Sequence, residues 1–215
     1  MHIIWDLDGT LIDSALEIKK VLDESVKEAG FSEIEPVEPF RSGPPLDKVL
    51  DYMYGGKLSD GQKTAIIAAF RANYDNCGFN NTPPFGGIEE ILKDERFVHH
   101  IVTNKPDLAT SRILERLSWK KYFASVVTPY SYMESPDALR KTKTELFALC
   151  MAKAPGERFV GVGDMDTDAR AAVKNGIPAI GVLWGTGTKD ELHMSGCANI
   201  VKSVDELKLL LEVFL

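Results

Sequence analysis

Asp6 and Asp8 stand two positions apart in Trp5-Asp6-Leu7-Asp8-Gly9-Thr10, directly after the apolar run Ile3-Ile4-Trp5. Asp164 ends a second apolar run, Phe159 to Gly163, and Asp168 follows about one helical turn later. Thr103-Asn104 closes a third run around Ile101-Val102. Carboxylates brought to one point cannot all stay ionised without a cation. Their oxygens suit a hard cation, and Mg²⁺ typically takes one or two of them together with water and a phosphate oxygen. Asp6, Asp8 and Asp164 outweigh one divalent ion by about one charge, so a site that also accepts a phosphate dianion needs a lysine.

Such residues act together only if the fold brings them together. The apolar runs at 3–5, 98–103, 125–128, 159–163, 177–184 and 199–201 do not alternate with polar residues, which predicts strands buried on both faces. The segments between them read as helices. Ser14-Ala15-Leu16-Glu17 and Ser203-Val204-Asp205-Glu206 have the pattern of capping boxes, and Gly30 and Gly176 stand at helix stops. From residue 86 onward helix and strand alternate, which implies right-handed parallel crossovers in an open sheet. Ligands of such sheets bind beyond the carboxyl ends of the strands. Residues 14–83 break the alternation, with helical patterns at 14–29, 45–54 and 59–76 and no convincing strand. The fold class predicted is α/β, an open parallel Rossmann-like sheet core with an inserted all-helical cap. The core would comprise 1–13 and 84–215, and the cap 14–83.

Composition narrows the partners. The 215 residues are 44% hydrophobic and 27% charged, ordinary for a globular chain. A net charge of −7 argues against nucleic acid, whose phosphates attract basic faces. Cys77, Cys150 and Cys197 are scattered, which argues against zinc and against a disulfide framework. No apolar run approaches the ~20 residues of a membrane span, and Asp6 and Asp8 interrupt the apolar N-terminus, so neither membrane nor secretory signal is expected. The expectation is a cytoplasmic protein, monomer or homodimer, acting on a small molecule.

The run from Trp5 to Ser14 resembles the first motif of the haloacid dehalogenase superfamily of phosphatases. Thr103-Asn104-Lys105-Pro106 resembles its second motif, and Gly161 to Asp168 its acidic fourth motif. The helical insert is similar to the four-helix type of cap, and Gly181 to Gly185 and Ser203 to Leu210 are similar to the phosphoglycolate phosphatase-like branch. The lysine motif is less regular. Arg140-Lys141-Thr142-Lys143-Thr144-Glu145 has threonines where prolines are usual. Aligning Glu145 with the family pattern puts Lys141 in the motif position, with Lys143 as the alternative. Trp5, Phe85-Gly86-Gly87 and Met165 also depart from the usual residues.

This resemblance implies roles. Asp6 would be the nucleophile and Asp8 the general acid and base. Mg²⁺ would be held by Asp6, Asp164 and the Asp8 backbone carbonyl. Thr103, Asn104 and Lys141 would bind the phosphoryl oxygens, with Asp168 orienting the lysine or a metal-bound water. Cap specificity would fall to Arg41 and Gly43, in the stretch Arg41 to Leu46, although Arg41 serves equally as a surface ion-pair partner.

The function implied is a Mg²⁺-dependent phosphatase for a small phosphomonoester, phosphoglycolate being the named guess. A β-phosphoglucomutase-like mutase, a pyrophosphatase and a nucleotidase share the chemistry. A 2-haloacid dehalogenase is disfavoured, because that branch lacks the second aspartate. From another class, the chain could be a non-catalytic regulator phosphorylated on Asp6, or a degenerate interaction module. Plainer readings apply elsewhere: His99 and His100 at the surface or a sheet edge, Lys105 solvated more than assisting with phosphate, Arg71 and Tyr74 structural, and Trp5, Trp119 and Trp184 in packing.

Overall fold

A computed structural model describes residues 1–129 and 141–215; Arg140, at the start of the lysine-motif stretch, lies outside them. The chain divides into two compact units, Met1–Asp13 with Pro84–Leu215, and Ser14–Pro83. In chain order, strand β1 (His2–Trp5) leads into helices α1 (Ala15–Glu28), α2 (Leu46–Tyr54) and α3 (Asp60–Asn76) of the second unit. The first unit resumes with α4 (Ile88–Leu92), β2 (Val98–Val102), α5 (Asp107–Arg116) and β3 (Phe123–Val127). Then come α6 (Lys143–Met151), β4 (Phe159–Gly163), α7 (Asp166–Lys174), β5 (Ala179–Val182), α8 (Lys189–Met194), β6 (Asn199–Val201) and α9 (Val204–Phe214).

The six strands form one Rossmann-like sheet in the order β3-β2-β1-β4-β5-β6, and every pairing is parallel. Ile3, Ile4 and Trp5 are fully buried, and β4 is buried along its whole length. Apolar runs without alternation therefore sit where both sheet faces are covered. Register then decides what meets beyond the sheet. Trp5 pairs with Ile101 on one side and with Val162 on the other. The carboxyl ends of β1, β2 and β4 are thus level, and Asp6, Thr103 and Asp164 leave the sheet along one edge. β1 and β4 flank the point where strand order reverses, the place at which such sheets bind ligands.

Two histidines depart from expectation. His99 and His100 lie in β2, between β1 and β3, and are only 3% exposed. The indole Nε1 of Trp5 donates to His99 Nδ1 at 3.0 Å. His100 Nε2 meets His2 Nδ1 at 2.9 Å, and its Nδ1 meets Ser125 Oγ at 2.8 Å. Burial lowers the pKa of both rings to about 4, so the fold holds them neutral. As expected for packing residues, Trp5 and Trp119 are buried.

In the helical unit, Leu22, Leu50 and Ile66 are fully buried in one cluster drawn from α1, α2 and α3. Ser59 caps α3 in a full capping box with Gln62. The box expected at Ser14 does not form. Ser14 makes no side-chain cap bond, and Glu17 instead accepts the Asn81 N–H at 2.6 Å, tying the start of the unit to its end. Among the described residues, no helix is long and apolar enough to cross a membrane.

Candidate active site

Asp6 is 6% exposed, and its Oδ1 accepts a hydrogen bond from Lys143 Nζ at 2.6 Å. The same ammonium pairs with Asp168. Asp164 is fully buried; its Oδ2 accepts from the Thr186 N–H at 2.8 Å and the Thr186 hydroxyl at 3.1 Å. Its Oδ1 faces the Thr10 hydroxyl at 3.4 Å. Asp168 Oδ2 accepts the Met165 N–H at 3.0 Å at the start of α7. Oxygens of Asp6, Asp164 and Asp168 all lie within 4.8 Å of one another.

Glycines permit this crowding. At Gly163 an added Cβ would overlap the Asp168 side chain, and at Gly185 it would overlap the Asp164 carboxylate and the Gly9 carbonyl oxygen. The loop after β5 thus closes over Asp164 and delivers Thr186, a residue that sequence reasoning missed. The glycines of Gly185-Thr186-Gly187 were its only outward sign. Trp184 anchors the same loop by donating from Nε1 to the Thr10 carbonyl at 3.0 Å.

The electrostatics follow from burial. Desolvation pushes Asp6 up to about 7, against the pull of Lys143. Desolvation and the neighbouring Asp6 raise Asp164 to about 6, against its bonds from Thr186. Burial also raises Asp168. For Lys143, burial works downward, but Asp168 and Asp6 outweigh it and hold the ammonium firmly charged. Three buried carboxylates with one ammonium leave an excess of negative charge, an arrangement fitted to a divalent cation with hard oxygen donors.

The lysine that reaches these carboxylates is Lys143, the alternative, rather than Lys141. Thr142 is the N-cap of α6, accepting the Glu145 N–H at 3.4 Å, while Glu145 accepts the Thr142 N–H at 2.7 Å. That capping box makes Lys143 the first helical residue and turns its side chain inward, to 6% exposure. Lys141 remains outside the helix, partly exposed, where its charge falls on Glu145. Aligning on Glu145 points to Lys141, whereas Glu145 here belongs to the helix start and the lysine beside Asp6 is Lys143.

A second lysine corrects the expectation of a solvated side chain. Lys105 Nζ donates to both oxygens of Asp8, at 2.9 and 3.1 Å, and its side chain is 3% exposed. Thr103 is buried and its Oγ1 accepts the Lys105 N–H at 3.1 Å, leaving the hydroxyl proton to donate elsewhere. Asn104 is half-buried in the same turn. Arg41 and Gly43 belong to the helical unit, in the segment between α1 and α2, Gly43 with a φ of +113°.

The family model of haloacid dehalogenase-like hydrolases matches residues 3–182. The chain belongs to this family. This haloacid dehalogenase-like hydrolase is 32% identical over 196 residues to a phosphoglycolate phosphatase of Aquifex aeolicus, covering 85% of this chain and 84% of that one. It is 29% identical over 214 residues to the tyrosine-protein kinase PtkA of Mycobacterium tuberculosis, covering 96% of this chain and 70% of the other. Its fold matches the crystal structure of a predicted phosphatase from Clostridium acetobutylicum with a TM-score of 0.79 at 31% identity, over 98% of both chains.

Proposed function

We propose that this hydrolase is a Mg²⁺-dependent phosphatase that cleaves a small-molecule phosphomonoester through an aspartyl-phosphate on Asp6. The observation that carries the reading is the buried Asp6 carboxylate, held by Lys143 at 2.6 Å beside Asp164 and Asp168. Hydrolases of this family generally use Mg²⁺, and Asp6, Asp164 and the Asp8 backbone carbonyl would hold it here. When bound, the ion offsets the carboxylate charge and draws in the phosphate.

An Asp6 oxygen attacks phosphorus and the bond to the leaving oxygen breaks. The Asp8 carboxyl gives its proton to that oxygen. Asp8, now ionised, takes a proton from the water that attacks the phosphorus of the aspartyl-phosphate, releasing phosphate and restoring Asp6. The Thr103 hydroxyl, the Asn104 N–H and the Lys143 ammonium donate to the remaining phosphoryl oxygens and stabilise their growing charge. Asp168 keeps Lys143 in place. Residues 14–83 serve as the cap, and Arg41 and Gly43 are the candidates for contact with the substrate's organic portion. The identity to a phosphoglycolate phosphatase supports a substrate of that size and charge; a cytoplasmic monomer or homodimer is part of the proposal.

A phosphate-release screen over sugar, nucleotide and two-carbon phosphomonoesters, with and without Mg²⁺, tests the reading. Release that needs Mg²⁺ and disappears in Asp6→Asn is the expected result. Full activity in Asp6→Asn would refute it. An isomerised sugar phosphate would mark a mutase, and stoichiometric phosphorylation without turnover a regulator.

A further inference from the structure

Lys105 is out of place for a lysine. Burying its long stem and charge is costly unless a partner of good geometry offsets the loss. Here that partner is Asp8, whose two oxygens lie at nearly equal distance from one ammonium, 2.9 and 3.1 Å. Two charge-assisted hydrogen bonds from one ammonium restrict how far that carboxylate can swing.

The site's carboxylates are thereby sorted between two lysines. Lys143 takes Asp6 and Asp168, which lie with Asp164 in the group able to share a cation. Lys105 takes Asp8. An aspartate two residues from Asp6 would otherwise be free to swing toward any divalent ion bound there, because short acidic side chains are good ligands for hard cations. An aspartate spent on a metal is a poor proton carrier. The Lys105 backbone also bonds Thr103 Oγ1 at 3.1 Å, so one short turn orients both a phosphate donor and the Asp8 carboxylate.

We propose that Lys105 is a positioning residue for Asp8, holding its carboxylate apart from the metal-side aspartates and in one orientation for proton transfer. The proposal rests on the reading of Asp8 as general acid and base. It gives Lys105 a task distinct from that of Lys143, which meets the nucleophile.

The test compares the wild type, Lys105→Met, Lys105→Arg, Asp8→Asn and the double variant Asp8→Asn/Lys105→Met. Each is assayed with p-nitrophenyl phosphate and with an alkyl phosphate, after thermal unfolding has established that it folds. Lys105→Met should lower kcat roughly 100-fold, the lower end of what positioned proton transfer contributes, with KM changed less than about 3-fold. The loss in kcat/KM should be greater for the alkyl ester, whose leaving group needs the proton more. Lys105→Arg keeps the charge and should recover about 10-fold of the loss, since its head group differs in shape. In the Asp8→Asn background, Lys105→Met should cost less than about 2-fold further, because a residue acting through Asp8 has nothing left to position. An equal loss in both backgrounds, or a rise in KM alone, would overturn the proposal. Should Lys105→Met fail to fold, the double variant decides by itself, since it removes the buried ammonium together with the charge of its partner and is compared with Asp8→Asn. An active Asp6→Asn enzyme would instead sink the phosphatase reading, and this proposal with it.

Discussion

Lys143 reaches Asp6 because Thr142 ends a loop and begins a helix. A cation at a helix N-terminus is opposed by the macrodipole, and two buried carboxylates outweigh that opposition. Removing the ammonium leaves Asp6 and Asp168 facing each other in a dry site. Lys143→Met should therefore lose at least about 100-fold in kcat and, without metal, about 3 kcal/mol of stability, the scale of a broken buried ion pair. Lys141→Met should stay within about 2-fold in activity and about 0.5 kcal/mol in stability. Steady-state kinetics and urea titration of the two variants check this; equal losses would return the motif role to Lys141. The choice was legible locally, since Thr142 and Glu145 have capping-box spacing. Lys105 was not. Its burial depends on Asp8, which lies 97 positions away in sequence, and no local pattern announces such a pairing.

At the scale of elements, what was readable was what periodicity and strand ends encode. The unbroken apolar runs of β1, β2 and β4 pointed to buried parallel strands, and the polar residues that stop them pointed to one edge of the sheet. Helix α6 carried no such signal, because Leu146, Phe147 and Cys150 are buried among few polar positions. Helix α8 is only six residues long. His99 and His100 were misplaced because a polar pair suggests an edge, whereas β2 is interior and pairs their nitrogens with Trp5, His2 and Ser125.

That interior placement has a consequence in pH. Both rings have a folded pKa near 4, below the unfolded value of 6.5. The unfolded chain therefore takes up protons first. The stability that depends on neutral histidine is present above pH 6.5 and is lost as the pH falls toward 4, by up to about 3 kcal/mol for each ring. Asp6 and Asp164 work in the opposite sense. Their raised pKa values penalise the fold as the pH rises above 3.8. Comparing His100→Gln with its parent by urea unfolding between pH 7.5 and 4.5 cancels the carboxylates. The variant should lose less stability over that interval; parallel curves would contradict the buried neutral ring.

Over the whole molecule, the helical block between β1 and β2 was visible because some 70 residues carried helical periodicity and no strand. What that block does was not, because substrate specificity resides in loop side chains and not in fold. The acidic cluster gives a test at this scale. At pH 7.5, above the raised values of Asp6 and Asp164, those two carboxylates are largely ionised and crowded, so Mg²⁺ at about 100 times its dissociation constant should stabilise the protein by about 2.7 kcal/mol. For a chain of this size that corresponds to about 5 to 10 °C in Tm. At pH 5, below the raised values of Asp6 and Asp164, the shift should shrink. A shift no larger than that given by sodium chloride of matched ionic strength would argue against a cation site.

The central claim is that Asp6 carries the phosphoryl group between ester and water. Rapid quenching of the enzyme during turnover of p-nitrophenyl phosphate with Mg²⁺, followed by borohydride reduction and peptide mass spectrometry, reads this directly. The account predicts trapping of a transient phosphoryl group at Asp6, seen as reduction of that aspartate alone, and none when Mg²⁺ is withheld. Phosphate release at the normal rate with Asp6 never modified, or with the group trapped on another residue, would contradict it.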